Sequence, residues 1–264
     1  MSPPPKNSHH VVILLEPMGF EARRRAISAT ETFLQGLSGQ GGYRVALVDG
    51  PRLVQPFTSD IAAVVRALID KVATKGNPGR TDGRGPWLRP SIALLDALAL
   101  QQGVKSMVRF VDYGMPTGRD FLVPLAQRSN VAVYPVDARG LSVVVPFGDA
   151  STEAGSGVGS GLSPTEAGPL VAADIMARSS ALFQESMILQ SVAKATGGRA
   201  VTNNNDLGKI FRLVSDSVLG VYVVGYDMTP EMADGRWHTV RIRVNREELQ
   251  VHAKEGYLAP RGPG

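Results

Sequence analysis

Cysteine is absent from the 264 residues of this chain, which excludes a disulfide framework, a thiolate metal site and a cysteine nucleophile. Aromatic residues make up only 6% of the chain, and the net charge is a modest +4. A nucleic-acid interface usually combines a concentrated basic stripe with aromatic side chains, so this composition disfavours nucleic acid as a partner. The longest apolar runs, at residues 11–15 and 143–147, are far shorter than the ~18 residues of a membrane span.

The chain does contain an alternation of short, branched apolar runs with amphipathic segments. Strands are predicted at residues 11–15, 43–48, 106–112 and 131–136. Helices are predicted between them, at residues 22–37, 61–72, 91–102 and 119–129, because apolar residues recur there at helical spacing. This alternation predicts an α/β fold: a three-layer sandwich with a mostly parallel central sheet and helices on both faces.

The rest of the chain departs from this alternation. Residues 1–10 (MSPPPKNSHH) are predicted as a disordered tail, and residues 76–90 as a turn-rich loop. The Gly/Ser-rich residues 148–170 are predicted as a flexible insertion. Helices near residues 182–195 and 207–218, a short strand at 199–202 and antiparallel strands within residues 220–253 (220–227, 238–244 and 249–253) follow. We therefore expect a single domain over residues 11–260.

Acidic residues stand at the ends of two predicted strands. Glu16 comes directly after the first strand, and Asp112 closes the strand that begins at Ser106. Ligands of open parallel sheets bind outside the carboxyl ends of the strands. If these two strands are neighbours, both carboxylates line one crevice, where oxygen ligands suit a hard cation such as Mg²⁺. The alternative is that both are solvated acids at strand ends.

Several motifs of catalysis are missing. The glycine-rich residues 155–161 (GSGVGSG) are not followed by Gly-Lys-Ser/Thr, so they indicate a linker and not a phosphate loop. No G-x-S-x-G pentapeptide is present, which argues against the usual α/β-hydrolase nucleophile. No helical i, i+4 pair suited to zinc is formed by the four histidines, His9, His10, His238 and His252.

Four segments, taken together, resemble one family. They are residues 131–142 (VAVYPVDARGLS), 195–207 (ATGGRAVTNNNDL), 221–244 (VYVVGYDMTPEMADGRWHTVRIRV) and 251–260 (VHAKEGYLAP). In this order they are similar to the bacterial von Willebrand factor A-related (VWFA-related) domain family of the acidobacterial type. The resemblance implies a Rossmann-like sheet and a non-enzymatic protein-binding or adhesion module. It also implies a secreted or extracytoplasmic location.

The resemblance also implies where a metal would be expected. Relatives in the wider A-domain class hold Mg²⁺ at a metal-ion-dependent adhesion site, built from D-x-S-x-S after the first strand, a Thr at a later helix start and an Asp after the fourth strand. On this chain those positions fall on Glu16, Met18, Phe20, Ser91 and Asp112. Met and Phe cannot ligate a hard cation. The resemblance therefore implies a degenerate site with weakly bound Mg²⁺ or none, and no other cofactor.

Three functional hypotheses follow. The first is a binding module for a protein partner, with Met18, Phe20, Tyr113 and Thr117 as contact residues; Met18 and Phe20 would alternatively seal the next helix. The second is an α/β hydrolase or phosphate-handling enzyme that uses Glu16 and Asp112 as paired carboxylates. The third is structural: the C-terminal antiparallel strands extend the sheet or offer an edge to a partner strand.

Overall fold

The computed structural model describes residues 8–74, 88–112, 119–141, 164–219, 234–245, 248, 251 and 253–259. Its strands are β1 (His9–Leu15), β2 (Tyr43–Asp49), β3 (Arg52–Thr58), β4 (Val104–Val111), β5 (Ala132–Asp137), β6 (Trp237–Thr239) and β7 (Gly256–Leu258). Its α-helices are α1 (Phe20–Leu37), α2 (Ile61–Leu68), α3 (Leu88–Ala99), α4 (Arg119–Arg128), α5 (Pro164–Thr196) and α6 (Lys209–Leu219). Helix α2 continues into a π-helical turn over Ile69–Ala73.

The predicted α/β architecture is confirmed. A five-stranded sheet has the order β3-β2-β1-β4-β5, and β6 pairs with β7 in a separate antiparallel sheet. Strand β1 lies at the centre, parallel to both β2 and β4, and all seven of its residues are buried. Of the five strands that the structure describes in the large sheet, β3 runs antiparallel to its neighbour β2. The strands that precede Glu16 and Asp112 are therefore neighbours, as the sequence analysis required.

The alternation of side chains along the strands divides the interior into two cores. Val11, Ile13 and Leu15 point to the side covered by α1, α2 and α6. Val12 and Leu14 point to the other side, where α3, α4 and α5 pack. Both faces of β1 are buried because helices cover the sheet on both sides, which explains its continuous apolar run.

The glycine pair in the resembling segment ATGGRAV has a structural role beside β5. A Cβ on Gly198 would lie 1.9 Å from the backbone oxygen of Val133, and backbone atoms of a buried strand cannot move far. We expect Gly198→Ala to lower the free energy of unfolding by about 2 kcal/mol, in the range of overpacked sites. Urea denaturation measures this loss.

The matched control is Gly36→Ala on the exposed side of α1, where a Cβ meets nothing within 4 Å. There we expect the free energy of unfolding to rise by up to about 1 kcal/mol. Equal effects at the two positions would contradict the steric argument.

Some boundaries differ from the prediction. His9 and His10, assigned to the disordered tail, belong to β1, whereas residues 1–7 lie outside the described residues. Helix α5 begins at Pro164, inside the predicted insertion of residues 148–170, of which residues 148–163 lie outside the described residues. The N-terminal part of α5 was missed because none of residues 168–188 is buried, so no apolar stripe marks it.

An antiparallel pair of strands near the C-terminus is confirmed, but its bounds differ from the predicted ones. Within predicted strand 238–244 only His238 and Thr239 pair as part of β6, and the partner strand is β7 at Gly256–Leu258. Of the predicted strand 249–253, only residues 251 and 253 are among the described residues. Residues 220–227 lie outside the described residues. The predicted strand 199–202 is reduced to a single parallel bridge between Val136 and Val201. None of the helices described has the length and apolar character that a bilayer span requires.

Candidate functional site

Acidic residues mark the carboxyl edge of every strand in the parallel part of the sheet. Asp49 and Asp137 are the last residues of β2 and β5, and Glu16 and Asp112 directly follow β1 and β4. The sequence analysis found two of these four acids. Because β2, β1, β4 and β5 are consecutive in the sheet, all four acids lie along one edge.

Arginine neutralises three of these acids. The Arg23 guanidinium donates to both carboxylate oxygens of Asp49, at 2.8 and 3.1 Å, and Arg52 lies 3.0 Å from the same carboxylate. Arg139 donates to Asp137 at 2.7 and 2.9 Å. Two parallel N–H···O contacts of this kind are among the strongest polar interactions in proteins. The edge is therefore largely compensated in charge before any ligand is considered.

Glu16 is the third neutralised acid, and its partner Arg109 lies on the neighbouring strand. Arg109 stands beside Leu14 in the register of β1 and β4, on the side of the sheet where α3, α4 and α5 pack. Both side chains are fully buried and form an ion pair through Arg109 Nε and Glu16 Oε1. Arg109 was not among the residues predicted from the sequence. The available signal was a lone arginine within the apolar run SMVRFVD, since a charged side chain in a buried strand requires a partner.

Asp112 has a different environment from the other three acids. Its carboxylate is buried, and Oδ2 accepts a hydrogen bond of 2.6 Å from the backbone N–H of Gly19. Gly19 is the N-cap of α1, so the carboxylate lies where the helix dipole favours negative charge. Its other oxygen, Oδ1, is buried and has no hydrogen-bond partner among the residues described. Asp112 therefore fixes the loop between β1 and α1 onto the end of β4.

Of the remaining predicted site residues, two are buried, one is exposed and two lie outside the described residues. Ser91 lies in the first turn of α3, fully buried, and its hydroxyl has no hydrogen-bond partner within the described part of the chain. Met18 is fully buried in the core beside α1, so its assignment to a contact surface is wrong. Phe20 is the first residue of α1 and is 69% exposed. Tyr113 and Thr117 lie outside the described residues.

The Mg²⁺ implied by the family resemblance fits these residues poorly. The Glu16 carboxylate is paired with a guanidinium, Met18 is a core residue, and Phe20 offers no oxygen. Of the five positions, the Asp112 carboxylate and the Ser91 hydroxyl remain as oxygen ligands. Each has an oxygen atom without a hydrogen-bond partner among the described residues. In the ranges that the structure describes, no three His, Asp or Glu side chains group closely enough to hold a metal ion. Mg²⁺ prefers six oxygen ligands in near-octahedral geometry, which these residues do not offer.

The burial of Glu16 also bears on the hydrolase hypothesis. A general acid or base must come within hydrogen-bond reach of its substrate. Glu16 has no solvent-exposed surface and forms an ion pair with Arg109. This placement does not favour proton transfer between Glu16 and a substrate.

Comparisons with known proteins find similar solved structures at low sequence identity. No family model and no curated protein matches the chain. Among solved structures it is similar to an aerotolerance-related membrane protein from Bacteroides fragilis NCTC 9343, at 13% identity over 80% of this chain and 99% of that one, with a TM-score of 0.48. It is also similar to the vWF domain of the type V pili tip protein Mfa5 from Porphyromonas gingivalis, at 17% identity over 40% of each chain (TM-score 0.32). The manganese-loaded TRAP protein of Plasmodium vivax is 13% identical over 49% of this chain and 57% of that one (TM-score 0.36). The helix-flanked, mostly parallel sheet described above is the fold that the resemblance to the VWFA-related family implies.

Proposed function

We propose that this chain is a protein-binding module without catalytic activity, that it contacts its partner at the carboxyl edge of the sheet, and that it needs no Mg²⁺ to do so. The observation that supports this proposal is the position of Phe20. An aromatic side chain that is 69% exposed begins α1, directly after the glycine that Asp112 holds. Aromatic side chains supply much of the binding energy of protein interfaces when a partner covers them.

The residues around Phe20 are held in place by hydrogen bonds, which favours binding of a partner protein at this point. Gly19, the residue before it, is tied to Asp112 through the 2.6 Å hydrogen bond. Arg23, one turn later in α1, is tied to Asp49 and donates to the backbone oxygen of Val72 at 3.2 Å. The first turn of α1 is therefore fixed at both ends. A partner that covers Phe20 would lose little conformational entropy in this segment, which favours affinity.

Independence from Mg²⁺ is the second part of the proposal. In metal-dependent relatives, as the resemblance implies, a cation compensates the strand-end acids. Here the guanidinium groups of Arg109, Arg23 and Arg139 compensate Glu16, Asp49 and Asp137. Asp112 is held by a helix N-terminus instead. The extracytoplasmic location implied by the same resemblance is proposed with it and rests on the resemblance alone.

A photo-crosslinking residue placed at position 20 identifies the partner, because it captures only proteins that touch this point. A second crosslinker at position 100, where Leu100 is 84% exposed just after α3, serves as the control. With the captured partner purified, we expect Phe20→Ala to weaken binding at least tenfold, which corresponds to about 1.4 kcal/mol, and EDTA to leave the affinity unchanged. Isothermal titration calorimetry measures both effects.

Leu100→Ala is the matched control in the calorimetric experiment, since it removes an exposed apolar side chain far from the carboxyl edge. It should bind like the wild type. Equal losses from Phe20→Ala and Leu100→Ala would contradict the proposed surface. Loss of binding in EDTA would contradict metal independence.

A further inference from the structure

The opposite, amino-terminal edge of the sheet carries a row of basic side chains. Arg44 on β2, His10 on β1 and Lys105 on β4 are register partners on adjacent strands. Their side chains point to the same side as Ala46, Val12 and Met107, which pack with α3, α4 and α5. Adjacent strands lie about 4.8 Å apart. We call Arg44, His10 and Lys105 the basic row.

Two members of the basic row are buried, and the described residues supply them with no acidic partner. His10 is 1% exposed and Lys105 is 8% exposed, whereas Arg44 is half-buried. Neither Arg44 nor Lys105 forms an ion pair with an acidic residue in the described part of the chain. Both ring nitrogens of His10 are buried and lack a hydrogen-bond partner among the described residues. Its ring meets the edge of Phe57 at a centroid distance of 5.5 Å.

This arrangement contrasts with the carboxyl edge, where arginine side chains form ion pairs with three of the four acids. Buried charges are normally paired, because an unpaired charge loses its hydration and gains nothing in return. Burial and the neighbouring charges of Arg44 and Lys105 lower the pKa of His10, and burial lowers the pKa of Lys105. The C-terminal ends of α3 and α4 point to this edge and offset part of the positive charge. Among the described residues, the ring nitrogens of His10 still have no hydrogen-bond partner.

We propose that the basic row binds a small oxyanion, either a phosphate or a carboxylate group. Arg44 and Lys105 stand about 10 Å apart at their Cα atoms, with His10 between them. Their long side chains can converge above the imidazole, and Arg offers a planar pair of donors suited to an oxyanion. The neutral imidazole of His10 donates its ring N–H to the same group. This site lies at the far edge of the sheet from Phe20 and does not depend on the proposed protein-binding function.

The test compares thermal unfolding in inorganic phosphate and in chloride at equal ionic strength. A bound anion stabilises the folded state in proportion to its occupancy, so we expect phosphate to raise the Tm by about 2–4 °C. In NMR titrations the pKa of His10 should rise by about one unit in phosphate, since a nearby negative charge favours the protonated ring. A parallel series in acetate tests the carboxylate class, and a response to either anion supports the proposal.

Lys105→Gln and the half-buried Arg44→Gln should each remove most of the Tm increase, and Arg44→Gln keeps the test valid if Lys105→Gln fails to fold. Lys71→Gln, at an exposed lysine in the π-helical turn, is the matched control and should respond like the wild type. The absence of a Tm increase in both anions would overturn the proposal. An increase of equal size in Lys71→Gln and the two basic-row variants would also overturn it, because it would report a general salt effect.

Discussion

Replacing Arg109 by Met is expected to lower the free energy of unfolding by about 3–5 kcal/mol, because it removes the guanidinium partner of the buried Glu16 carboxylate. Both members of this ion pair are fully buried between β1, β4 and the helices on the α3 side. Met fills much of the volume of the arginine side chain, so the loss reports the missing charge more than a cavity. Urea denaturation with a single global fit measures the change.

The double variant Glu16→Gln/Arg109→Met separates charge from packing. Without the carboxylate, no buried charge is left unpaired, and a large part of the lost stability should return. Arg24→Met is the control for ion pairing in general. Arg24 pairs with Glu21 at 2.8 Å on the surface, where the Arg24 side chain is about two-thirds exposed, and such exposed pairs contribute little to stability. If the double variant were no more stable than Arg109→Met, the uncompensated charge would not be the cause.

The same experiment bears on the proposed independence from Mg²⁺. If Arg109 takes the place of a cation beside Glu16, its removal should create a preference for one. Addition of Mg²⁺ to Arg109→Met should then restore part of the lost stability, whereas the wild type should not respond. A stabilisation of Arg109→Met by Mg²⁺ would show that Arg109 supplies the positive charge beside Glu16.

Most of the sheet could be predicted from the sequence because its strands are buried on both faces. Strands β1, β2, β4 and β5 each contain a run of mostly branched apolar residues, and such runs are typical of the interior of parallel sheets. Strand β3 was missed because its sequence, RLVQPFT, is largely polar or interrupted by Pro56, and most of its residues are at least partly exposed. Pro56 is tolerated there because β3 is an edge strand, where one side of the backbone needs no ladder partner.

The candidate site was predicted less completely, for reasons of register. The acids Glu16 and Asp112 could be placed at one edge because strand ends are visible in the sequence. The partner of Glu16 could not, because it depends on which residue of β4 lies beside Leu14. The choice between Met18 and Phe20 depended on where α1 begins. With Gly19 as the N-cap, Met18 turns into the core and Phe20 turns towards the solvent.

The second large effect is expected on lowering the pH. Burial, and to a smaller extent the neighbouring His10, lowers the pKa of His9 to about 4. His9 is enclosed in β1, where its Nε2 lies 2.9 Å from the hydroxyl of Ser106 and its ring lies 5.3 Å from that of Tyr43. The pKa of His10 is lowered in the same direction. The folded protein therefore holds both imidazoles neutral at pH values where the unfolded chain, with an ordinary pKa of about 6.5, already binds protons.

The sign follows from proton linkage. Below pH 6.5 the unfolded state binds more protons than the folded state, so stability falls as the pH falls. The contribution of His9 is complete above pH 6.5 and is lost progressively down to about pH 4, and it amounts to about 3 kcal/mol, since one pKa unit corresponds to 1.36 kcal/mol. Urea denaturation at intervals between pH 7 and pH 4.5, in chloride without phosphate, measures the slope.

Carboxylates also begin to titrate in this window, so the histidine contribution requires a matched variant. His9→Asn keeps a polar group in β1 but removes the titration, and its stability should fall by about 2 kcal/mol less than that of the wild type between pH 7 and pH 4.5. His238→Asn is the control for loss of an imidazole outside the sheet, because His238 lies near the surface, 3.0 Å from the carboxylate of Asp234, and it should not reproduce the effect of His9→Asn. A His9→Asn slope equal to that of the wild type would assign the acid sensitivity to the carboxylates. The series can be repeated in phosphate. An oxyanion bound at the basic row favours protonated His10 in the folded protein, so phosphate should reduce the acid sensitivity of the wild type.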